Sequence, residues 1–364
     1  MSKSQKRLAW LIGAIIVILG VLGNVVHLLT ESWWFDSAGF ITVFWTILTW
    51  KAAIWLGAFV IFGGFLWLNF RIARRLTKGR TFRTFEGTNI NIPTEKIFNV
   101  IVGIGVLVVA FIAAGATVPW WEDVLKFINA SEFAHADPIY DKNIGFYFFE
   151  LPFYNGLRAW LISLVVLSLI VSGVVYFLKG AIELVQSRHI RFSAGVKAHV
   201  SILLAIVAIL IAVGFYLDRY ELLFSTDGVV YGAGYTDAHA KLISYWVMGV
   251  VTLGIALLFI FSLVRKGLGL LFSGIIGFVV ILIVVNGIYP WFQQQFIVEP
   301  NELSMEKPYI EHNINYTRQA YNLQDVERYS FPVQGQLTRE KIQENDATIQ
   351  NIRLWDWRPL LSTY

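Results

Sequence analysis

A chain of 364 residues that is 56% hydrophobic and only 15% charged, with a mean hydropathy of +0.60, is no ordinary soluble enzyme and no disordered chain; soluble domains carry about 25% charged residues. The net charge of +4 does not mark a nucleic-acid binder, because the basic residues cluster beside apolar stretches. Cysteine is absent, which removes disulfides and thiolate metal sites and fits an oxidising compartment.

Seven stretches reach the roughly 20 apolar residues that cross about 30 Å of hydrocarbon: 8–29, 52–70, 97–117, 157–178, 198–217, 242–264 and 268–289. None alternates in polarity, so helices rather than barrel strands are expected, with every backbone group paired inside its own segment. The first stretch follows Lys3, Lys6 and Arg7, yet it is too long for a signal peptide and has no small-residue cleavage site, so it reads as a retained anchor. Ile41–Trp50 is apolar but short, and Lys51 separates it from the second span. It is expected as an interfacial or re-entrant helix with Lys51 snorkelling outward, the alternative being one long tilted helix through 41–70. Trp33-Trp34-Phe35, Trp120-Trp121 and Trp291-Phe292 sit just past span ends, where indoles favour the headgroup level. Ala110/Ala114 and Ser273/Gly277 have the small-xxx-small spacing that lets helices pack closely.

The loops sort by charge. Residues 1–7, 71–96, 179–197 and 265–266 carry 16 Lys/Arg against 3 Asp/Glu, while 30–51, 118–158 and 218–241 carry 6 Lys/Arg and 12 Asp/Glu. Basic loops stay in the cytoplasm, so the N-terminus is expected inside and the segment after span seven outside. That segment, 291–364, holds 17 charged residues in 74 against 37 in the first 290, which sets a boundary near Pro290. A helix is expected over 308–322, with Pro308 in its first turn and Ile310, Ile314, Thr317 and Tyr321 on one face. Asn351–Pro359 is expected as a strand.

Several phrases stand in order between the spans: Trp34-Phe35 with Gly39-Phe40 and Phe44-Trp45, then Asp137–Phe153, Asp218–Ser225, Tyr231–Leu242, Val298–Tyr321 and Asn351–Leu361. Through them the chain resembles the UPF0182 family of uncharacterised bacterial integral membrane proteins. The resemblance implies seven N-terminal spans, a large extracytoplasmic region and a chain longer than this one, so that 364 residues read as an N-terminal fragment. It implies no activity.

Chemistry is harder to find. GxxxxGK[ST], HExxH and GxSxG are absent, and no Cys/His set has zinc spacing. Gly232-Ala233-Gly234 lacks the third glycine of a dinucleotide loop, because residue 237 is Asp, and reads as a structural turn. No Asp or Glu falls near a span midpoint, which argues against a proton-coupled transporter. His189, between Arg188 and Arg191, suits a lipid phosphate. The best constellation is on the outer face: Asp137 and Asp141; Asp218, Arg219 and Glu221; Asp237 and His239; Glu299, Asn301 and Glu302. Four loops thus bring oxygen ligands to one membrane face, as a divalent cation or a polar headgroup requires. The competing structural expectation makes Asp237 the N-cap of a helix beginning at Ala238 and Asp218–Arg219 a local ion pair.

The expected architecture is an all-α polytopic membrane protein: a seven-helix transmembrane bundle over 1–290 with interfacial helices, then the start of an extracytoplasmic α+β region over 291–364. The expected location is the plasma membrane. The expected role is a non-enzymatic platform that presents its outer region to envelope proteins or lipids. The alternatives are a transporter or lipid-handling channel, or an envelope lipid or polymer enzyme using outer carboxylates. The expected partners are the bilayer, envelope proteins or lipids and a divalent cation, with no nucleic acid and no cofactor assigned.

Overall fold

The computed structural model describes residues 20, 22–80, 95–184, 190–265, 269–327, 329–330, 338–352 and 356–364. The retained anchor therefore falls largely outside the described residues, as does His189. The chain divides into two compact units, Met1–Asn313 and Ile314–Tyr364.

In the first unit, α1 (residues 22–37) is followed by α2 (Ile41–Leu76), α3 (Glu95–Thr117), the short α4 (Trp121–Ile128), α5 (Leu151–Leu178) and α6 (Ala194–Glu221). Then come α7 (Leu242–Phe261), α8 (Gly269–Ile281), α9 (Tyr289–Gln293) and α10 (Glu302–Ala320), whose residues from Ile314 onward belong to the second unit. Two three-residue strands, β1 (Ile182–Leu184) and β2 (Ile190–Phe192), form an antiparallel ribbon between α5 and α6. Six helical stretches among the described residues are long and apolar enough to cross a membrane: Ile41–Leu76, Glu95–Ile128, Phe146–Leu178, Ala194–Phe224, Asp237–Phe261 and Gly269–Ala320.

Two sequence expectations fail here for backbone reasons. Ile41–Trp50 is not a separate interfacial helix; the alternative of one long helix through 41–70 holds, because α2 runs unbroken for 36 residues. No proline or glycine interrupts the junction, and the Lys51 ammonium settles 5.6 Å from the Trp121 ring, so the charge needs no break in the helix. At about 1.5 Å per residue α2 is longer than the roughly 30 Å of hydrocarbon it would cross. Pro308 does not open a helix but lies inside α10. The helical path from Gly269 to Ala320 also passes through Pro290 without ending.

Two cores hold the bundle. Phe62, Leu66 and Phe70 of α2 pack with Val106, Ala110 and Ala114 of α3 and with Leu164, Val175 and Tyr176 of α5. Ala110 and Ala114 are fully buried, and a Cβ on Gly63 would lie 3.9 Å from that of Ala110, so small residues do bring α2 and α3 close. The second core joins Ala205 and Ala208 of α6 to Ile255, Ala256 and Phe259 of α7 and Leu271 of α8. On α8 the packed small residue is Gly274, set against Phe259, whereas Ser273 of the expected pair is exposed.

Buried polar groups lock the helix ends opposite the site described below. His199 of α6 joins the Tyr176 hydroxyl through Nδ1 (2.6 Å) and Asn69 through Nε2 (2.9 Å), tying α6 to α5 and α2. The Lys197 ammonium donates to the Ser262 and Arg265 carbonyls, each at 2.6 Å, and so caps the C-terminal end of α7. Lys197→Met keeps the packed stem but orphans those carbonyls. The expected cost is about 1–3 kcal/mol, read as a lower unfolding midpoint in detergent; an unchanged midpoint would remove the cap from the account.

In the second unit the described elements are helical: α11 (Arg339–Glu344), α12 (Asp346–Gln350) and α13 (Trp357–Thr363). The strand expected over Asn351–Pro359 is not formed, since Asp356 accepts from the Arg358 N–H (3.0 Å) and starts a helix at Trp357; residues 353–355 lie outside the described residues. Ile314 and Tyr321, expected on a packed face, are exposed.

Candidate functional site

Four π-helical stretches occur among the described residues: Phe146–Glu150, Asp237–Lys241, Leu282–Ile288 and Gln294–Val298. They lie at the N-terminal ends of α5 and α7 and flank α9, beyond α8. These helix ends share one end of the bundle, because successive spans alternate in direction. Wide turns forgo regular hydrogen bonding and collect at functional sites. Here residues of three of them line one pocket.

The pocket measures about 300 Å³ and lies at the start of the α7 span. Glycines shape its backbone. Gly232 has φ +124°, and a Cβ on Gly234 would sit 3.0 Å from a Glu306 carboxylate oxygen. That clearance lets the buried Glu306 of α10 reach the helix start, where both its oxygens accept from the Tyr235 N–H at 3.1 Å. A carboxylate at a helix N-terminus meets free donors and the positive end of the dipole. Asp237 is therefore not the N-cap. It sits three residues past Gly234 and its Oδ2 accepts from the Gly234 N–H (3.1 Å), the reach-back half of a capping box. Its Oδ1 pairs with Lys241 at 2.7 Å, and Lys241 also holds Asp227 at 2.6 Å. Thr236 donates to Gln294, and Asn313 of α10 donates to the Tyr231 carbonyl (2.8 Å). His239 stacks on Tyr235 with ring centroids 4.0 Å apart and is exposed.

A second polar centre closes the loop before α5. Asp137, buried, accepts from the Ile139 N–H (2.9 Å), the Tyr140 N–H (2.6 Å), the Lys142 N–H (2.9 Å) and the Tyr147 hydroxyl (2.7 Å). Burial, with a smaller contribution from the Asp137 charge, pushes the Tyr140 phenol above its ordinary range despite Arg219 nearby. The phenol stays neutral and donates to the Arg219 carbonyl. Asp141 follows at φ 53°, a conformation a short polar side chain tolerates, and is exposed.

The expected Asp218–Arg219 ion pair is not formed, since neighbours in a helix point apart. Asp218 instead faces Arg158 of α5 at 3.7 Å, and Glu221 accepts from Asn155 at 2.6 Å. The Arg219 guanidinium lies 4.1 Å from the Trp246 ring centre and 4.2 Å from that of Tyr216, where a weakly hydrated, planar cation is stabilised by ring faces. Glu299, Asn301 and Glu302 are exposed, with Glu299 held by Gln295.

The ten outer residues thus resolve into separate groups. Among the described residues no set of three or more His, Asp or Glu side chains is placed to hold a metal ion. The residues that complete the pocket, namely Asp227, Lys241, Gln294 and Glu306, were not singled out in the sequence. Lys241 had a signal, four residues after Asp237; Glu306 had none, because its partner is 71 residues away.

A family model described as an uncharacterised protein family, UPF0182, matches residues 8–364. A UPF0182 protein of Trichodesmium erythraeum is 48% identical over 351 residues, which is 96% of this chain and 38% of the relative. One from Trichlorobacter lovleyi is 37% identical over 370 residues (99% and 41%), and one from Cupriavidus necator 36% over 364 (98% and 40%). The chain spans about two fifths of the length of these relatives. No solved structure matches it. With six membrane-length apolar helices among the described residues and a match over nearly every residue, the chain belongs to the uncharacterised protein family UPF0182.

Proposed function

We propose that the chain is the membrane base of a plasma-membrane platform, with seven spans over 1–290, its N-terminus in the cytoplasm, and an extracytoplasmic α+β region beginning at 291 that meets envelope proteins or lipids. One observation carries the reading: Glu306, buried beyond the last apolar stretch, is fastened to the start of another span through the Tyr235 N–H. Such a clamp fixes the direction in which the following chain leaves the membrane. The loop charges support the orientation.

Two measurements test it. In a chain without cysteine, an impermeant thiol reagent applied to intact cells labels Ser304→Cys and spares Ser193→Cys; the reverse pattern overturns the orientation. A photo-crosslinker at the exposed Glu311 captures an envelope component in the native host. Glu306→Ala lowers that capture about tenfold or more, as the loss of a charged hydrogen bond implies. Absence of any captured component, or capture indifferent to Glu306→Ala, sinks the platform.

The enzymatic alternative draws on one observation. Asp237 and Glu306 line the same pocket in unlike surroundings, one ion-paired and the other on a backbone donor, and unlike surroundings separate acid from base roles. It requires turnover of an envelope lipid or polymer that Glu306→Gln abolishes in a folded protein.

A further inference from the structure

A groove of about 660 Å³ runs along the outside of the α2–α3 pair, at the other end from the pocket above. Its walls are apolar or bare backbone. Gly63 and Gly64 of α2 and Ile104 and Leu107 of α3 line it, and the Trp67 indole lies beside Gly103, where a Cβ would come within 3.3 Å of the ring. Nothing lies within 4 Å of where a Gly64 side chain would begin. One end of the groove is basic: Arg74, near the end of α2, and Lys96, at the start of α3, both line it. Among the described residues neither has a carboxylate at ion-pair distance, since the adjacent Glu95 pairs with Lys179 at 3.3 Å. Asn99 lies beside them, and its Oδ1 is buried without a hydrogen-bond partner.

The dimensions select the occupant. From Arg74 to Gly63, and from Lys96 to Leu107, is eleven residues of helix, or about 16 Å at 1.5 Å per residue. That is about half of a 30 Å hydrocarbon core, the depth of one leaflet. An acyl chain fills an apolar slot of that length, a phosphate meets two cations that have no carboxylate partner among the described residues, and a headgroup hydroxyl supplies the donor that Asn99 lacks there. A zwitterionic lipid would leave its own cation against Arg74 and Lys96. We propose that this groove is a binding site for an anionic phospholipid with a hydroxylated headgroup, held in the leaflet on the Arg74–Lys96 side.

The test titrates the purified full chain in detergent with phosphatidylglycerol or phosphatidylcholine of identical acyl chains and counts bound lipid by native mass spectrometry. The wild type retains phosphatidylglycerol preferentially. Arg74→Gln/Lys96→Gln lowers that retention about thirtyfold, the effect of two basic side chains at a membrane surface. Arg75→Gln/Lys78→Gln removes the same charge from exposed positions outside the groove and leaves the preference intact. Gly64→Leu, which has room for its side chain, lowers retention of both lipids. Helical content by circular dichroism is matched across the set; should the double variant fail to fold, Lys96→Gln alone is expected to lose about fivefold. Equal retention of the two lipids, an equal loss in the Arg75/Lys78 control, unchanged retention in Gly64→Leu, or a lipid-free dimer occupying the groove overturns the proposal.

Discussion

Asp137→Ala is expected to lower stability by about 4 kcal/mol: a hydrogen bond to a charged acceptor contributes about 1.5–3 kcal/mol, and of the four donors that lose Asp137 the N–H groups of the part-exposed loop can turn to water, so the loss is that of about two such bonds rather than four. Three of the donors are backbone N–H groups of the loop 139–142, and the fourth is the Tyr147 hydroxyl at the start of α5. Backbone bonds also order the loop, with the Asp137 N–H on the Lys142 carbonyl (2.8 Å) and the Asp141 N–H on the Asp137 carbonyl (3.2 Å). One isolated bridge pairs Ala136 with Asn143, whose side chain in turn serves Phe133. Collapse of the loop would release Tyr140 from the Arg219 carbonyl and disturb the aromatic cluster of Tyr140, Phe146, Tyr147 and Tyr220. Tyr147→Phe removes one donor of the four and is expected to cost about 1–2 kcal/mol. The pair of variants separates a structural carboxylate from a cation ligand. If Asp137 held a divalent cation, calcium would raise the wild-type unfolding midpoint in detergent and leave Asp137→Ala unmoved. The expected result is a large loss in Asp137→Ala and no calcium effect in either protein; a calcium-dependent wild type would restore the cation reading.

The sequence carried what depends on composition and local spacing. Apolar run length gave seven expected spans, and six of them coincide with the membrane-length helices found among the described residues, since twenty apolar residues are visible without any knowledge of partners. Small-xxx-small spacing located Ala110 and Ala114 on a packed face of α3, though not Ser273 on α8, which is exposed. Run length did not show whether Ile41–Trp50 joins the next span, because the outcome turned on where Lys51 finds a ring, and Trp121 is 70 residues away. The same limit applies to the outer carboxylates. Asp137, Asp218 and Asp237 were legible as acidic residues beside spans, but their individual roles follow from Tyr147, Arg158 and Gly234. Glu306 was hidden most deeply. Its sequence surroundings are polar, it is buried where it meets the Tyr235 N–H, and the space it occupies exists because residue 234 has no side chain. π-Helical turns leave no compositional mark, so the geometry that gathers Lys241, Asn286 and Gln294 into one pocket could not be read in advance.

Lys241→Met is expected to be the most destabilising change within that pocket. Asp237 is 2% exposed, and Lys241 is its counter-charge at 2.7 Å. Removing one partner of a buried pair strands the other charge, at a cost of about 3–5 kcal/mol. Asp227, the other carboxylate on Lys241, is exposed and can turn to water, so its loss of the ammonium contributes little. The Gly234 N–H continues to serve Asp237 but cannot replace a full positive charge. The nearby Glu306 carboxylate worsens matters by adding a second negative charge to the same space. The double variant Asp237→Asn/Lys241→Met removes both charges while the Asn side chain keeps an acceptor for Gly234. It is therefore expected to recover most of the loss, because a neutral pair of similar volume often equals or exceeds a buried ion pair in stability. Unfolding midpoints of the two single variants and the double variant in one detergent form a double-mutant cycle. Additive losses would mean that Asp237 and Lys241 act independently, and the ion pair would then have no part in shaping the start of α7. A double variant close to wild type in stability but unable to hold the Glu311 crosslinking partner would assign the pair to recognition rather than to folding.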